Sequence, residues 1–169
     1  MIAPSEKHLE DWIVANPNRV RYFDGQNWVR PFHHLMGRQI KTMSGVIDLV
    51  VWGDSLVCPI EIKREKLTAH HLVQLLSYMG DIDCYMRLIA YQEDKEIPRI
   101  KGILIGHSFA DRRLLCACMG ANVEVLTYQY QSGEYLFQRV HAGVTDYERR
   151  SAKGLVDLIE TWPGPEVQQ

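Results

Sequence analysis

Asp48, Glu61 and Lys63 are the residues whose types and spacing carry chemistry. Side chains alternate between faces along a strand, so Glu61 and Lys63 project to one side while Ile60 and Ile62 project to the other. Asp48 lies in the preceding apolar run between Ile47 and Leu49, and a hairpin loop with an even residue count brings it to the face of Glu61. A two-residue loop at Asp54-Ser55 sets the two carboxylates opposite each other, whereas an odd loop without a bulge separates them. Carboxylates converging on one point repel, and burying them together is costly unless a cation neutralises them. Oxygen donors from Asp48 and Glu61, with the Ile62 carbonyl and waters, suit Mg²⁺ or Mn²⁺ rather than Zn²⁺, because no His or Cys joins the cluster. Such a cation polarises a phosphodiester and lowers the pKa of an attacking water. Lys63 is placed to orient that water or to stabilise the charge developing on the phosphate.

Two helices bring further groups. Residues 5–16 predict the first, with Ser5 as N-cap, Leu9, Trp12 and Ile13 at helical spacing, and Asn16-Pro17 as the stop. On its wheel Glu6 lies about 20° from Ile13, nearer the core-facing stripe than Glu10, which makes Glu6 a further candidate carboxylate for the metal. Residues 67–79 predict the second helix through Leu72, Leu75, Leu76 and Met79, with Gly80 ending it. Gln74 and Tyr78, four residues apart, share a face from which amide and phenol reach the water, Lys63 or a phosphate.

The strands that carry the acids are predicted at 38–41, 46–52 and 56–63, the last despite Pro59, and form an antiparallel meander turning at Met43-Ser44-Gly45 and Gly53-Asp54-Ser55. Further strands are predicted at 84–91 and 100–105, joined by the polar linker 92–99. A helix over 110–119 ends at Gly120, a strand follows over 123–130, residues 131–134 turn into a strand over 135–140, and a terminal helix runs over about 146–161. Residues 21–29 are irregular or hairpin-like around Asp24-Gly25, and 31–36 carry no clear period. The 169 residues hold no repeat, low-complexity tract or dividing linker and read as a single domain.

Hydrophobic residues at 46% and charged residues at 24% describe a globular chain. No apolar run has membrane-spanning length and the N-terminus lacks a secretory pattern, so a cytoplasmic protein is the default. Cys58, Cys84, Cys116 and Cys118 are then expected as free thiols and buried small apolar residues. Cys116 and Cys118 lack the second close pair that a structural zinc or iron–sulfur site needs. A net charge of −2 excludes a polycationic surface, leaving local patches such as 63–66 and Arg112-Arg113 for phosphates. His33-His34 and His70-His71 read as surface or core rather than metal ligands. Tyr22, Phe23 and Trp28 read as core, with stacking on unpaired bases as the alternative.

Gly45-Val46-Ile47-Asp48, then Glu61-Ile62-Lys63, then Gln74-Leu75-Leu76-Ser77-Tyr78 resembles the PD-(D/E)XK nuclease superfamily, most closely its NucS/EndoMS-type, RecB-like branch. Glu6-Lys7-His8-Leu9, Gly37-Arg38-Gln39 and Gly102-Ile103-Leu104-Ile105 extend the likeness over residues 5–130. The resemblance implies a three-layer α/β, restriction-endonuclease-like fold: a central mixed sheet with an αβββαβ core, helices on both faces, and residues 131–169 as an extension. It implies hydrolysis of DNA, metal ligation by Asp48 and Glu61, catalysis by Lys63, and assisting roles for Glu6, Gln74 and Tyr78. The proline that names the superfamily is absent before Asp48, and the branch's separate N-terminal DNA-binding and dimerisation domain is not in this sequence. Strandedness, sequence preference and homodimer formation stay open. Two other readings compete: a catalytically silent nuclease-fold module that binds nucleic acid or regulates a partner, and an RNA-directed nuclease, since the site chemistry does not distinguish sugars.

Overall fold

Ser5 accepts the His8 amide at 3.1 Å and opens helix α1 (Glu6–Ala15), whose Leu9 and Ile13 are buried. Asn16 caps its end and Pro17–Arg19 form one 3₁₀ turn. The computed structural model describes residues 5–23, 28–29, 34–53, 56–94, 96–109 and 112–140. The turn expected at Asp24-Gly25, the loop at Asp54-Ser55, His33 and the terminal helix over 146–161 lie outside the described residues, as do the side chains of Tyr22, Phe23 and Trp28.

Among the described residues strands β1 (Tyr22–Phe23) and β2 (Trp28–Val29) pair with each other in a separate two-stranded sheet. The antiparallel meander is present as β3 (His34–Lys41), β4 (Val46–Gly53) and β5 (Leu56–Leu67). β5 runs four residues past the expected end, through Arg64-Glu65-Lys66 to Leu67. Thr68 then caps helix α2 (Ala69–Glu93), with its N–H donating to His71 Nδ1 at 3.1 Å.

Helix α2 corrects the sequence reading. Gly80 does not end it, and residues 84–91 are helix rather than strand. Leu72, Leu75, Tyr78, Ile82 and Ala90 are buried at helical spacing, and Asp83 pairs with Arg87 one turn on at 2.7 Å. Asp94 ends the helix in a left-handed conformation, φ 50°.

Strand β6 (Arg99–Ile100), β7 (Gly102–Phe109), helix α3 (Arg112–Gly120), β8 (Val123–Gln131) and β9 (Glu134–Arg139) complete the described chain. Seven strands form one mixed sheet in the order β3-β4-β5-β7-β8-β9, with β6 also on β5. β5, β7 and β8 are parallel, joined through α2 and α3, as parallel strands require. β3, β4 and β9 flank them antiparallel.

The sheet is covered on both faces, which gives three layers. Leu104 packs with Leu72, Leu75, Leu114 and Leu115 of α2 and α3, while its neighbours Ile103 and Ile105 pack with Leu9 and Ile13 of α1. Among the described residues no helix is long and apolar enough to cross a membrane. The four cysteines are free thiols. Cys58 and Cys118 are buried as expected, with thiols pushed up to about 11 by burial, but Cys84 and Cys116 are exposed.

Pro59 occupies a buried rung of β5. The Ile62 amide points towards β4, where it bonds Asp48, and backbone direction alternates along a strand. The missing amide of Pro59 therefore falls on the β7 side. There the parallel pairing is interrupted: β6 pairs through Val57↔Ile100, Lys101 intervenes, and β7 resumes at Ile60↔Ile103.

Candidate active site

The hairpin register pairs Gly53 with Leu56 and Leu49 with Ile60. The paired rungs end at Leu49↔Ile60, so the next residues, Asp48 and Glu61, lie on the face opposite that pair, as an even loop requires, and Glu61 feels the Asp48 charge. Asp48 Oδ2 accepts the Ile62 N–H at 2.8 Å. Glu61 is 1% exposed; its Oε1 lies 2.5 Å from Lys63 Nζ, and its Oε2 is buried with no hydrogen-bond partner among the described residues.

The electrostatics follow from this crowding. Burial pushes the Glu61 carboxyl up to about 7; the bond to Lys63 opposes the rise and the Asp48 and Glu6 charges add to it. Burial also raises Asp48, against the Ile62 amide, the Lys63 charge and Gln39. Burial pulls Lys63 down, but its bond to Glu61 and the charges of Glu61, Asp48 and Glu6 outweigh that, so its pKa is raised and it stays an ammonium. Glu61 and Lys63 thus both stand in the fields of Asp48 and Glu6.

Glu6 is exposed and accepts the Arg64 N–H at 2.9 Å, tying the first turn of α1 to β5. Gln74 Nε2 donates to the Tyr78 hydroxyl at 2.8 Å, and Tyr78 is buried with Ile47, Val50 and Val57. Neither is bonded to Asp48, Glu61 or Lys63 among the described residues. A Cβ on Gly45, which has φ 146°, would lie 2.9 Å from the Tyr78 hydroxyl. Among the described residues no group of three or more His, Cys, Asp or Glu side chains is arranged to hold a metal ion.

No family model matches the sequence, and no curated protein is similar to it in sequence. Solved structures are similar in fold. A repair endonuclease from Pyrococcus abyssi matches with a TM-score of 0.53 and 17% identity, covering 74% of this chain and 47% of that one. EndoMS, in a complex with double-stranded DNA, matches with a TM-score of 0.53 and 19% identity over 78% and 48%. This chain has the fold of those endonucleases. It spans about half of their length.

Within that endonuclease fold, four residues near the acids were not singled out as site residues from the sequence. The helical wheel favours Glu6 over Glu10, yet Glu10 is the buried one, at 6% exposure. It is drawn in by β3: Arg38 Nε donates to Glu10 Oε1 at 2.5 Å and Gln39 Nε2 to Glu10 Oε2 at 3.1 Å. Gln39 Nε2 also reaches Asp48 Oδ1 at 3.3 Å. The sequence signal was the Arg38-Gln39 pair in the strand before Asp48. His71 is buried at the start of α2, its pKa lowered by burial and by the Lys63 charge; its Nε2 lies 3.4 Å from Glu65.

Proposed function

We propose that this chain is a metal-dependent nuclease domain that hydrolyses DNA phosphodiester bonds, with Asp48 and Glu61 holding Mg²⁺ or Mn²⁺ and Lys63 acting beside them. Glu61 carries the reading: a buried carboxylate with one oxygen on an ammonium and the other without a partner suits a site that a cation completes. Asp48, Glu61 and the Ile62 carbonyl would offer an all-oxygen donor set of the kind a hard cation takes; no third carboxylate is grouped with the two acids among the described residues, and Glu6 accepts the Arg64 N–H. The shared fold with two endonucleases, one of them in a DNA complex, supports DNA as the substrate.

A bound Mg²⁺ or Mn²⁺ supplies charge neutralisation and lowers the pKa of a water. Lys63 holds its proton, so its role is to donate, orienting the attacking water or stabilising charge on a phosphate oxygen, and not to act as a base. Asp48 is oriented by the Ile62 amide, which binds one of its oxygens and opposes the upward pull of burial on its carboxyl. Gln74 and Tyr78 assist through packing, with Tyr78 seated against β4 beside Gly45.

The test incubates the pure chain with single-stranded, double-stranded and branched DNA and with RNA, in Mn²⁺ and in EDTA. Cleavage of DNA is expected in Mn²⁺ only, and Lys63→Ala should lower it about 100-fold or more. Equal products from wild type and Lys63→Ala would overturn the enzyme reading, and cleavage of RNA alone would overturn the substrate.

A further inference from the structure

We infer that Gln39, braced by Glu10 and Arg38, is a positioning residue that orients Asp48 for its ion. The inference rests on the metal-dependent reading above. The pairs Arg38↔Leu49 and Ile40↔Ile47 set Gln39 across from Asp48 on neighbouring strands. Gln39 has φ 50°, a left-handed conformation in the middle of a strand that non-glycine residues seldom adopt. Such conformations persist where the surroundings over-determine them and collect at functional sites.

Here the surroundings are two carboxylates. Both contacts of the amide are made through Nε2, to Glu10 Oε2 at 3.1 Å and to Asp48 Oδ1 at 3.3 Å. An amide nitrogen carries two hydrogens, one for each acid, and the amide oxygen would be repelled by either. Arg38 neutralises the far side of Glu10 through Nε and reaches Asp11 through a second nitrogen. Glu10 can therefore hold the amide without setting its full charge against Asp48. Asp48 is gripped from two directions, by Gln39 on Oδ1 and by the Ile62 amide on Oδ2, and each oxygen keeps a lone pair for a cation. Partners that orient a ligand in this way typically change metal affinity about 10- to 100-fold when removed.

Gln39→Gly separates positioning from folding, because glycine takes the left-handed backbone freely while deleting the amide. Mn²⁺ titration calorimetry without DNA, with Tm measured alongside, should show affinity about 10-fold weaker or more at an unchanged or higher Tm. Unchanged Mn²⁺ affinity overturns the inference at any Tm. If affinity and Tm fall together, Glu10→Gln decides, since it leaves the β3 backbone untouched. Weaker Mn²⁺ binding by that variant supports the inference, and wild-type affinity overturns it. A wild-type chain that binds no Mn²⁺ overturns the proposed function together with this inference; a wild type that binds and a Gln39→Gly that binds equally overturns this inference alone.

Discussion

Glu61 is an acid whose charge the folded chain resists. Its carboxyl rises from an ordinary 4.5 to about 7, with burial as the main cause, so folding favours the protonated form. The stability this group contributes is complete below pH 4.5 and is lost as the pH rises through 7. At about 1.4 kcal/mol per pH unit the loss is of order 3 kcal/mol. Urea unfolding of metal-free protein should therefore show wild type losing about that much against Glu61→Gln across this range. A difference that stays flat with pH would contradict the assignment. That Glu61 and Lys63 share a face was legible in the sequence from strand alternation, whereas Asp48 joins them only through an even loop, which the pairing of Gly53 with Leu56 supplies. Gln39 and Glu10 were not legible, because a left-handed residue inside a strand breaks the alternation and an arginine on another element decides which glutamate of α1 turns inward.

Helix α2 shows where local pattern misleads. Its second half is apolar on several sides: Tyr85, Leu88, Ile89 and Tyr91 are exposed while Ile82 and Ala90 are buried. An apolar run of that kind has no clean period and reads as a strand. Gly80 looked like a terminator, yet it lies in an exposed helix interior with nothing within 4 Å of a Cβ added there. Gly80→Ala should accordingly stabilise the protein by about 0.5–1 kcal/mol, seen as a raised urea midpoint at unchanged slope. A lowered midpoint would mean that the helix needs its glycine. Gly102 is the contrasting case: a Cβ there meets Met79 Sδ at 2.7 Å and Leu75 Cδ2 at 2.9 Å. The last four residues of β5 escape the sequence pattern for the opposite reason, since Arg64-Glu65-Lys66 is exposed strand and carries no apolar signal.

At the scale of the whole molecule, everything converges on the parallel strands β5, β7 and β8, buried between α1 and the pair α2 and α3. Leu104, on β7, is 0% exposed and belongs to the cluster that joins both of those helices. Leu104→Ala should cost about 2–5 kcal/mol of unfolding free energy, and calorimetry should record the drop in Tm. A cost well under about 1 kcal/mol would show that the layer can collapse around the loss. The three-layer architecture was implied by the family resemblance, and the αβββαβ order read from the sequence agrees with it, although the strand expected over 84–91 is part of α2.

The prolyl ring at position 59 works like a notch cut into the sheet. Its neighbours on either side pair with β6 and β7 at one constant offset, and the notch falls where that partner strand has its own gap. Sliding the partner along β5 would carry a bonding rung onto a position with no hydrogen to give. Which rung Glu61 meets, Leu104 and no other, is thus indexed by a residue that takes no part in the chemistry.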